Sequence, residues 1–422
     1  VKASSITFFE DFTTTTYQDL SNTNVTGWGN GNISLPSKTI SYIGSYDTPG
    51  TAMDVYIDGD YAFITDGSSG LQVIDISDPA NPGLLGTYDT TGSAEGIDID
   101  GNYAYIADKG SGLQVINIAN PTSPTLAGSV TYPNVDARDV KVENNIAFIA
   151  DGSGDNFKTV NVVNPAAPVY IHWASGPLTA TASSVIIADL YAFVADSGAG
   201  FTIYDIRDPT FGNEPTGGQY VAKYNTPGIS WDIALAGNFA YIADGSSGLS
   251  VLDITNPTSP TLVGTCDTPG DAKGIALAGN FVYIADGSAG LQVIDISDPT
   301  NPVIVDSYDT PGTAYKVDVD GEHAFVADGT AGLQIIEVSR SRNRQFMPLG
   351  VAQSTTILSP NSASLVSVTL TSTDSVPINT NISYYISADN GLNWEYIVPG
   401  LEHNFMNTGN QLKWKSILEN IT

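Results

Sequence analysis

Residues 61–78 read YAFITDGSSGLQVIDISD, and nearly the same string returns at residues 281–298 as FVYIADGSAGLQVIDISD. Looser copies occur five more times, each marked by an aspartate after an apolar run: Asp66, Asp108, Asp151, Asp196, Asp244, Asp286 and Asp328. Successive spacings are 42, 43, 45, 48, 42 and 42 residues. A period of that length, filled with strand signals and free of a helical period, predicts one four-stranded blade per repeat. The fold class is therefore all-β, with a seven-bladed β-propeller at its centre.

Each repeat divides into four strands. A short apolar run (Val55-Tyr56-Ile57) meets a turn, Asp58-Gly59-Asp60, that needs positive φ. The second strand, residues 61–64, ends in the Gly-rich loop 66–70, and the third covers residues 71–76. A Pro-bracketed turn at residues 78–82 leads to a fourth strand ending near Tyr88. Prolines stand only in the connections, as the hydrogen bonding of a β-ladder requires. The apolar inner strands fit sheets covered on both faces by neighbouring blades. The last copy, residues 333–338, is not followed by an Asp-Pro turn, while residues 36–50 resemble a fourth strand without a blade. The expectation is that this N-terminal strand completes the seventh blade and removes an open edge.

The recurring Leu-x-Val-Ile-Asp-Ile, in register over residues 36–350, resembles the LVIVD-repeat family. That resemblance implies a propeller of the kind carried by secreted and surface proteins of bacteria and archaea, usually without an assigned activity.

Composition narrows the function classes. The 45 acidic and 15 basic residues give a net charge of −30, the opposite of the field a phosphate-binding surface requires, so nucleic acid is not an expected partner. Cys266 is the only cysteine, which excludes an internal disulfide or a Cys-based metal site. No apolar run approaches the roughly 18 residues of a membrane-spanning helix. The first residue is Val1 rather than Met, which suggests a processed chain. Four N-x-[ST] sequons, at Asn24, Asn32, Asn381 and Asn420, point to a secreted, glycosylated surface protein. No cofactor is expected. The acidic charge leaves calcium open, although no D-x-D-x-D-G loop is present to hold it.

Catalysis needs converging acid, base or nucleophile groups. His172, His323 and His403 are far apart, with no partner at metal or triad spacing, and His323 is expected in an exposed turn. One aspartate per blade suits a structural Asx turn onto its own loop better than an active site. A second set, Asp75, Asn117, Asn161, Asp205, Asp253, Asp295 and Glu337, tolerates Asn and Glu, so hydrogen bonding is its requirement rather than charge. The chain is not expected to be an enzyme. Residues 387–394 match the S-x-D-x-G-x-x-W box of sialidase-like folds, but a single copy outside the repeats reads as a hairpin turn.

Positions where the repeats disagree carry more information. At the start of the innermost strand stand Met53, Glu95, Arg138, Ser183, Trp231, Lys273 and Tyr315. In a propeller they ring one mouth of the central channel. Glu95, Arg138, Trp231, Lys273 and Tyr315 together make a candidate glycan or small-ligand platform.

The two ends differ from the repeats. Residues 351–422 are expected to form a small immunoglobulin-like β-sandwich, with strands at 354–358, 364–370, 382–386, 394–397 and 411–418. Residues 1–35 form an N-terminal extension in which Ile6, Phe8, Phe9 and Phe12 mark an apolar strand without a partner. Donated to the C-terminal domain of the next subunit, that strand would assemble a head-to-tail polymer. A surface fibre subunit is thus the leading functional expectation, and a binding or adhesion module the alternative.

Overall fold

The computed structural model describes residues 40–153, 157–173, 181–198, 200–207 and 219–338, together with the backbone of the strands between residues 351 and 420. Residues 40–339 form one compact unit. Its strands make seven four-stranded antiparallel sheets, six of them in simple up-and-down order, and no helix occurs among the described residues. The innermost strands are Asp54–Asp58, Gly96–Asp100, Ala137–Glu143, Ala182–Ala188, Asp232–Ala236, Gly274–Ala278 and Lys316–Asp320. Each lies beside its counterparts in the preceding and following blades, and the seventh lies beside the first, so the sheets form a closed ring. In the seventh sheet Ser41–Tyr46 is the outer strand, antiparallel to Leu333–Glu337.

The core follows from that ring. Seven apolar clusters lie in the seams, each drawn from two successive blades. One joins Phe63, Leu71 and Val73 to Ile97, Ile106 and Ile116; another joins Phe325, Leu333 and Ile335 to Val55, Ile64 and Ile74. The middle strands are buried on both faces because each face meets a neighbouring blade. Every outer strand contains a register shift, a bulge that re-aims and blunts its free edge.

Of the seven aspartates at the ends of the second strands, Asp151 makes the expected Asx turn, accepting the Ser153 amide at 2.9 Å, while five are structural in a different way. Asp66 Oδ1 accepts from Thr48 Oγ1 at 2.7 Å and its Oδ2 from the Gly50 amide at 2.8 Å. Asp108, Asp244, Asp286 and Asp328 repeat this with Thr90, Thr226, Thr268 and Thr310 and with the corresponding glycines. Each carboxylate thus ties down the connection entering its blade, 16 to 18 residues upstream. The Asx turn recurs in the second set, where Asp75, Asn117, Asn161, Asp253 and Asp295 accept the amide two residues on.

Blade 4 departs from the pattern. Asp196 is fully buried, both its carboxylate oxygens lack a hydrogen-bond partner among the described residues, and burial pushes its pKa up. Asp286→Ala, which strands two buried donors, is expected to cost about 2–3 kcal/mol in urea denaturation. Asp196→Ala is expected to be neutral or stabilising in the same assay, because it removes a buried carboxylate with no partner among the described residues.

His323 is half-buried at the start of a strand, its ring edge-on to Phe325 at 6.2 Å, rather than in an exposed turn. In the C-terminal region the strands are Val351–Gln353, Ile357–Leu358, Leu365–Thr369, Thr380–Ser387, Glu395–Ile397, Glu402–Gly409 and Gln411–Asn420. Glu402–Gly409 has no counterpart in the sequence reading. Thr380–Ser387 pairs with both Glu395–Ile397 and Gln411–Asn420, and Leu365–Thr369 pairs with Glu402–Gly409. Asn381 and Asn420 stand near one end of the first of these sheets. Ile6, Phe8, Phe9, Phe12, Asn24 and Asn32 lie outside the described residues.

Candidate binding site at the channel mouth

The position before or at the start of each innermost strand has a constant backbone setting. The amides of Met53, Glu95, Trp231, Lys273 and Tyr315 each donate to the carbonyl at the end of the neighbouring second strand. Around that ring the side chains form three local groups. Glu95 Oε1 pairs with Lys109 Nζ at 2.9 Å, and Arg138 Nη2 pairs with Asp136 Oδ2 at 3.0 Å. Trp231, Lys273 and Tyr315, from three consecutive blades, come together: Lys273 Nζ is 4.9 Å from the Trp231 ring centre and 5.8 Å from that of Tyr315. Asp271 Oδ2 holds the same ammonium at 2.7 Å. All five candidate residues are half-buried. The Trp231 Nε1 and Ser183 Oγ atoms are buried without a hydrogen-bond partner among the described residues.

Lys109 is held in an unfavourable conformation. Gly67, Gly245, Gly287 and Gly329 occupy the equivalent loop position with φ between 55° and 60°, whereas Lys109 adopts φ 41° with a side chain attached. A non-glycine residue there costs on the order of 1 kcal/mol. The compensation visible in the structure is the ion pair to Glu95, at the start of the innermost strand of the same blade.

Beneath the mouth lies a layer the sequence reading did not single out. Asp54, Asp139, Ser184, Asp232 and Lys316 sit one residue further along the innermost strands; Asp98, Lys141 and Asp318 sit two residues beyond that register. Lys316 Nζ is 2.8 Å from Asp232 Oδ1, and Lys141 Nζ 3.6 Å from Asp98 Oδ1. Ser184 Oγ lies 2.7 Å from both Asp139 Oδ2 and Asp232 Oδ1, so its single proton serves one carboxylate at a time. Several of these carboxylates reach across blades to backbone amides: Asp54 to Ile97, Asp139 to Val185, Asp232 to Ile275, Asp98 to Val142 and Asp318 to Ile57. They fasten the channel wall from inside.

Burial opposes charge here, and the ring shows how each group responds. Burial raises the Asp54 pKa to about 7 against the pull of Lys316. For Lys316 burial works to lower the pKa, but Asp232, Asp139 and Asp54 more than offset it and hold the ammonium above its usual range. Lys141 is held up in the same way, by Asp98, Asp139 and Asp54. The signal for this layer was present in the sequence as polar residues one step past the ring position. Among the described residues no group of three or more His, Cys, Asp or Glu side chains is arranged to hold a metal ion.

A family model described as LVIVD repeat matches seven segments, residues 49–90, 91–132, 135–172, 180–214, 227–268, 269–310 and 311–341, more than half of the chain. The chain belongs to the LVIVD-repeat family. Solved structures similar to this LVIVD-repeat propeller share the fold at low identity. The WD40 β-propeller domain of Doa1 is 9% identical with a TM-score of 0.58, covering 71% of this chain and 98% of that one. The β-propeller domain of Cps50 (Swd1) from Myceliophteria thermophila is 11% identical with a TM-score of 0.57, covering 71% and 99%. The computationally designed Ika8 protein is 8% identical with a TM-score of 0.53, covering 70% and 99%. No curated protein matches the chain.

Proposed function

We propose that this LVIVD-repeat protein is a non-enzymatic recognition module of the extracellular surface, and that a small ligand or glycan meets it at the channel mouth. The observation that carries this reading is the convergence of Trp231, Lys273 and Tyr315 on one side of the ring. Aromatic faces beside charged groups supply the stacking and the orienting contacts that shallow sites use. Non-enzymatic action is supported by the repeated aspartates, most of whose oxygens are occupied by a threonine hydroxyl and a backbone amide. The sequons at Asn24, Asn32, Asn381 and Asn420 support an extracellular, glycosylated protein. Thermal-shift screening of saccharides and small ligands tests the reading. A ligand that stabilises the wild-type chain is expected to lose at least about tenfold in affinity in Trp231→Ala, a loss of about 1.4 kcal/mol. Equal affinity in the variant would place the site elsewhere.

A second reading rests on the apolar run with Ile6, Phe8, Phe9 and Phe12, which needs a groove to cover it. Inserted into the C-terminal domain of the next subunit, it would make the chain a fibre subunit. Electron microscopy of the full chain is then expected to show filaments that vanish when residues 1–15 are removed. Filaments that survive the truncation would contradict strand donation.

A further inference from the structure

The order of side chains at the mouth places a lysine between two aromatic rings. Lys273 Nζ lies over both Trp231 and Tyr315, at 4.9 Å and 5.8 Å from their centres. Its carboxylate partner among the described residues, Asp271, is a rim side chain 45% exposed. A cation between two π faces is what the ring quadrupoles select, and the attraction grows as the cation sheds water.

The charge beneath the rings acts in the same sense. In the two layers under the mouth, the carboxylates of Asp54, Asp98, Asp139, Asp232 and Asp318 face the ammoniums of Lys141 and Lys316. The three pairs at the mouth itself, Glu95–Lys109, Asp136–Arg138 and Asp271–Lys273, cancel one another. Carboxylates are therefore in excess below the funnel, and low-dielectric walls focus that field outward. The net charge of −30 adds long-range attraction for cations.

Resting on the mouth as the binding face, we propose that this site is a receptor for an alkylammonium group and that Lys273 is its resident occupant. The side chain stands in for the ligand, filling the slot between Trp231 and Tyr315 until an incoming amine displaces it. Asp271 is the residue that exchanges one ammonium for the other. A free polyamine and a lysine side chain borne on another protein share this chemistry.

Lys273→Ala removes the side chain beyond Cβ, and n-propylammonium is its equivalent in solution. Binding to the full chain is read as a saturable change in tryptophan fluorescence, with Trp231→Phe defining the signal of the other tryptophans. In Lys273→Ala, n-propylammonium is expected to bind about tenfold or more tighter than 1-propanol, since the two differ chiefly in charge. The wild-type chain is expected to take spermidine or Nα-acetyl-lysine amide more weakly than Lys273→Ala does, and the tighter of the two identifies the source. Should Lys273→Ala not fold, the wild-type titration against spermidine and glucuronate decides: saturation by spermidine alone is the expected result. Equal responses to propylammonium and propanol would overturn the proposal. Saturation by glucuronate instead would also overturn it, while leaving the mouth as a binding face of the opposite preference. No response to any probe would overturn the proposal and leave the mouth reading to the saccharide screen.

Discussion

Stability of the propeller is expected to fall as pH rises from about 4 to about 8, with Asp54 alone contributing roughly 4 kcal/mol of the loss. Asp54 is only 8% exposed, and burial is the main cause of raising its pKa from 3.8 to about 7. The charged groups facing it divide: Lys316 and Lys141 favour the carboxylate, Asp139 and Asp232 oppose it. Because the folded state binds this proton more tightly than the unfolded chain, it is the protonated form that folding favours. The stabilisation is fully present below the unfolded pKa of 3.8 and is lost as pH passes through about 7. Burial pushes Asp66, Asp98, Asp108, Asp286, Asp318 and Asp328 in the same direction. Asp75, Asp253 and Asp298 act in the opposite sense, since hydrogen bonds lower their pKa. Urea midpoints measured across this range at fixed ionic strength check the sign. Asp54→Asn is expected to flatten the curve and to be the more stable protein at the alkaline end. A wild-type stability that rises with pH, or a slope unchanged by the substitution, would contradict the assignment.

The second large effect is steric. A Cβ on Gly86 would lie 2.2 Å from the Pro121 carbonyl oxygen, which belongs to the Asp-Pro-type turn of the following blade. Gly44, Gly128 and Gly264 meet Pro79, Pro165 and Pro299 in the same way at the equivalent register. Gly86→Ala is therefore expected to cost about 3 kcal/mol or more, because backbone must move on one side of the seam. Gly83→Ala, in the same strand, meets nothing within 4 Å and is expected to change stability by less than about 0.5 kcal/mol. Equal losses at the two sites would show that the cost is one of strand propensity rather than of the seam. Blade 6 carries Asp306 at this register, where the next blade has no such turn, and its carboxylate accepts the Ile40 amide at 3.1 Å. Four blades carry glycine at this register under a proline turn, while blade 4 carries Ala222 and blade 3 His172.

These details mark the border of what a single sequence discloses. The seven blades were legible because the repeat is local: each Leu-x-Val-Ile-Asp-Ile strand and each Gly-rich loop states its own geometry within a few residues. The bonds of Asp66 and its equivalents were not, since an aspartate before glycine gives no sign that its partners are Thr48 and Gly50 rather than its own loop. The charged layer of the channel was missed for a related reason. Asp54, Asp139 and Asp232 break the apolar pattern of short strands and find their partners one blade away. At the mouth, aligning the repeats singled out Trp231, Lys273 and Tyr315. Only the fold shows that these three touch while Glu95 and Arg138 pair locally with Lys109 and Asp136. Pairing across a seam depends on blade geometry, which spacing along the chain does not encode.

The most direct test of the mouth as the binding face is a fluorescence titration of the full chain against saccharides, acidic sugars and amines. It is run in parallel on the wild-type and Trp231→Phe proteins. The expected result is a saturable change with at least one ligand class in the wild type and its loss in the variant. A saturable change that persists in Trp231→Phe, or none with any class, would contradict recognition at the channel mouth.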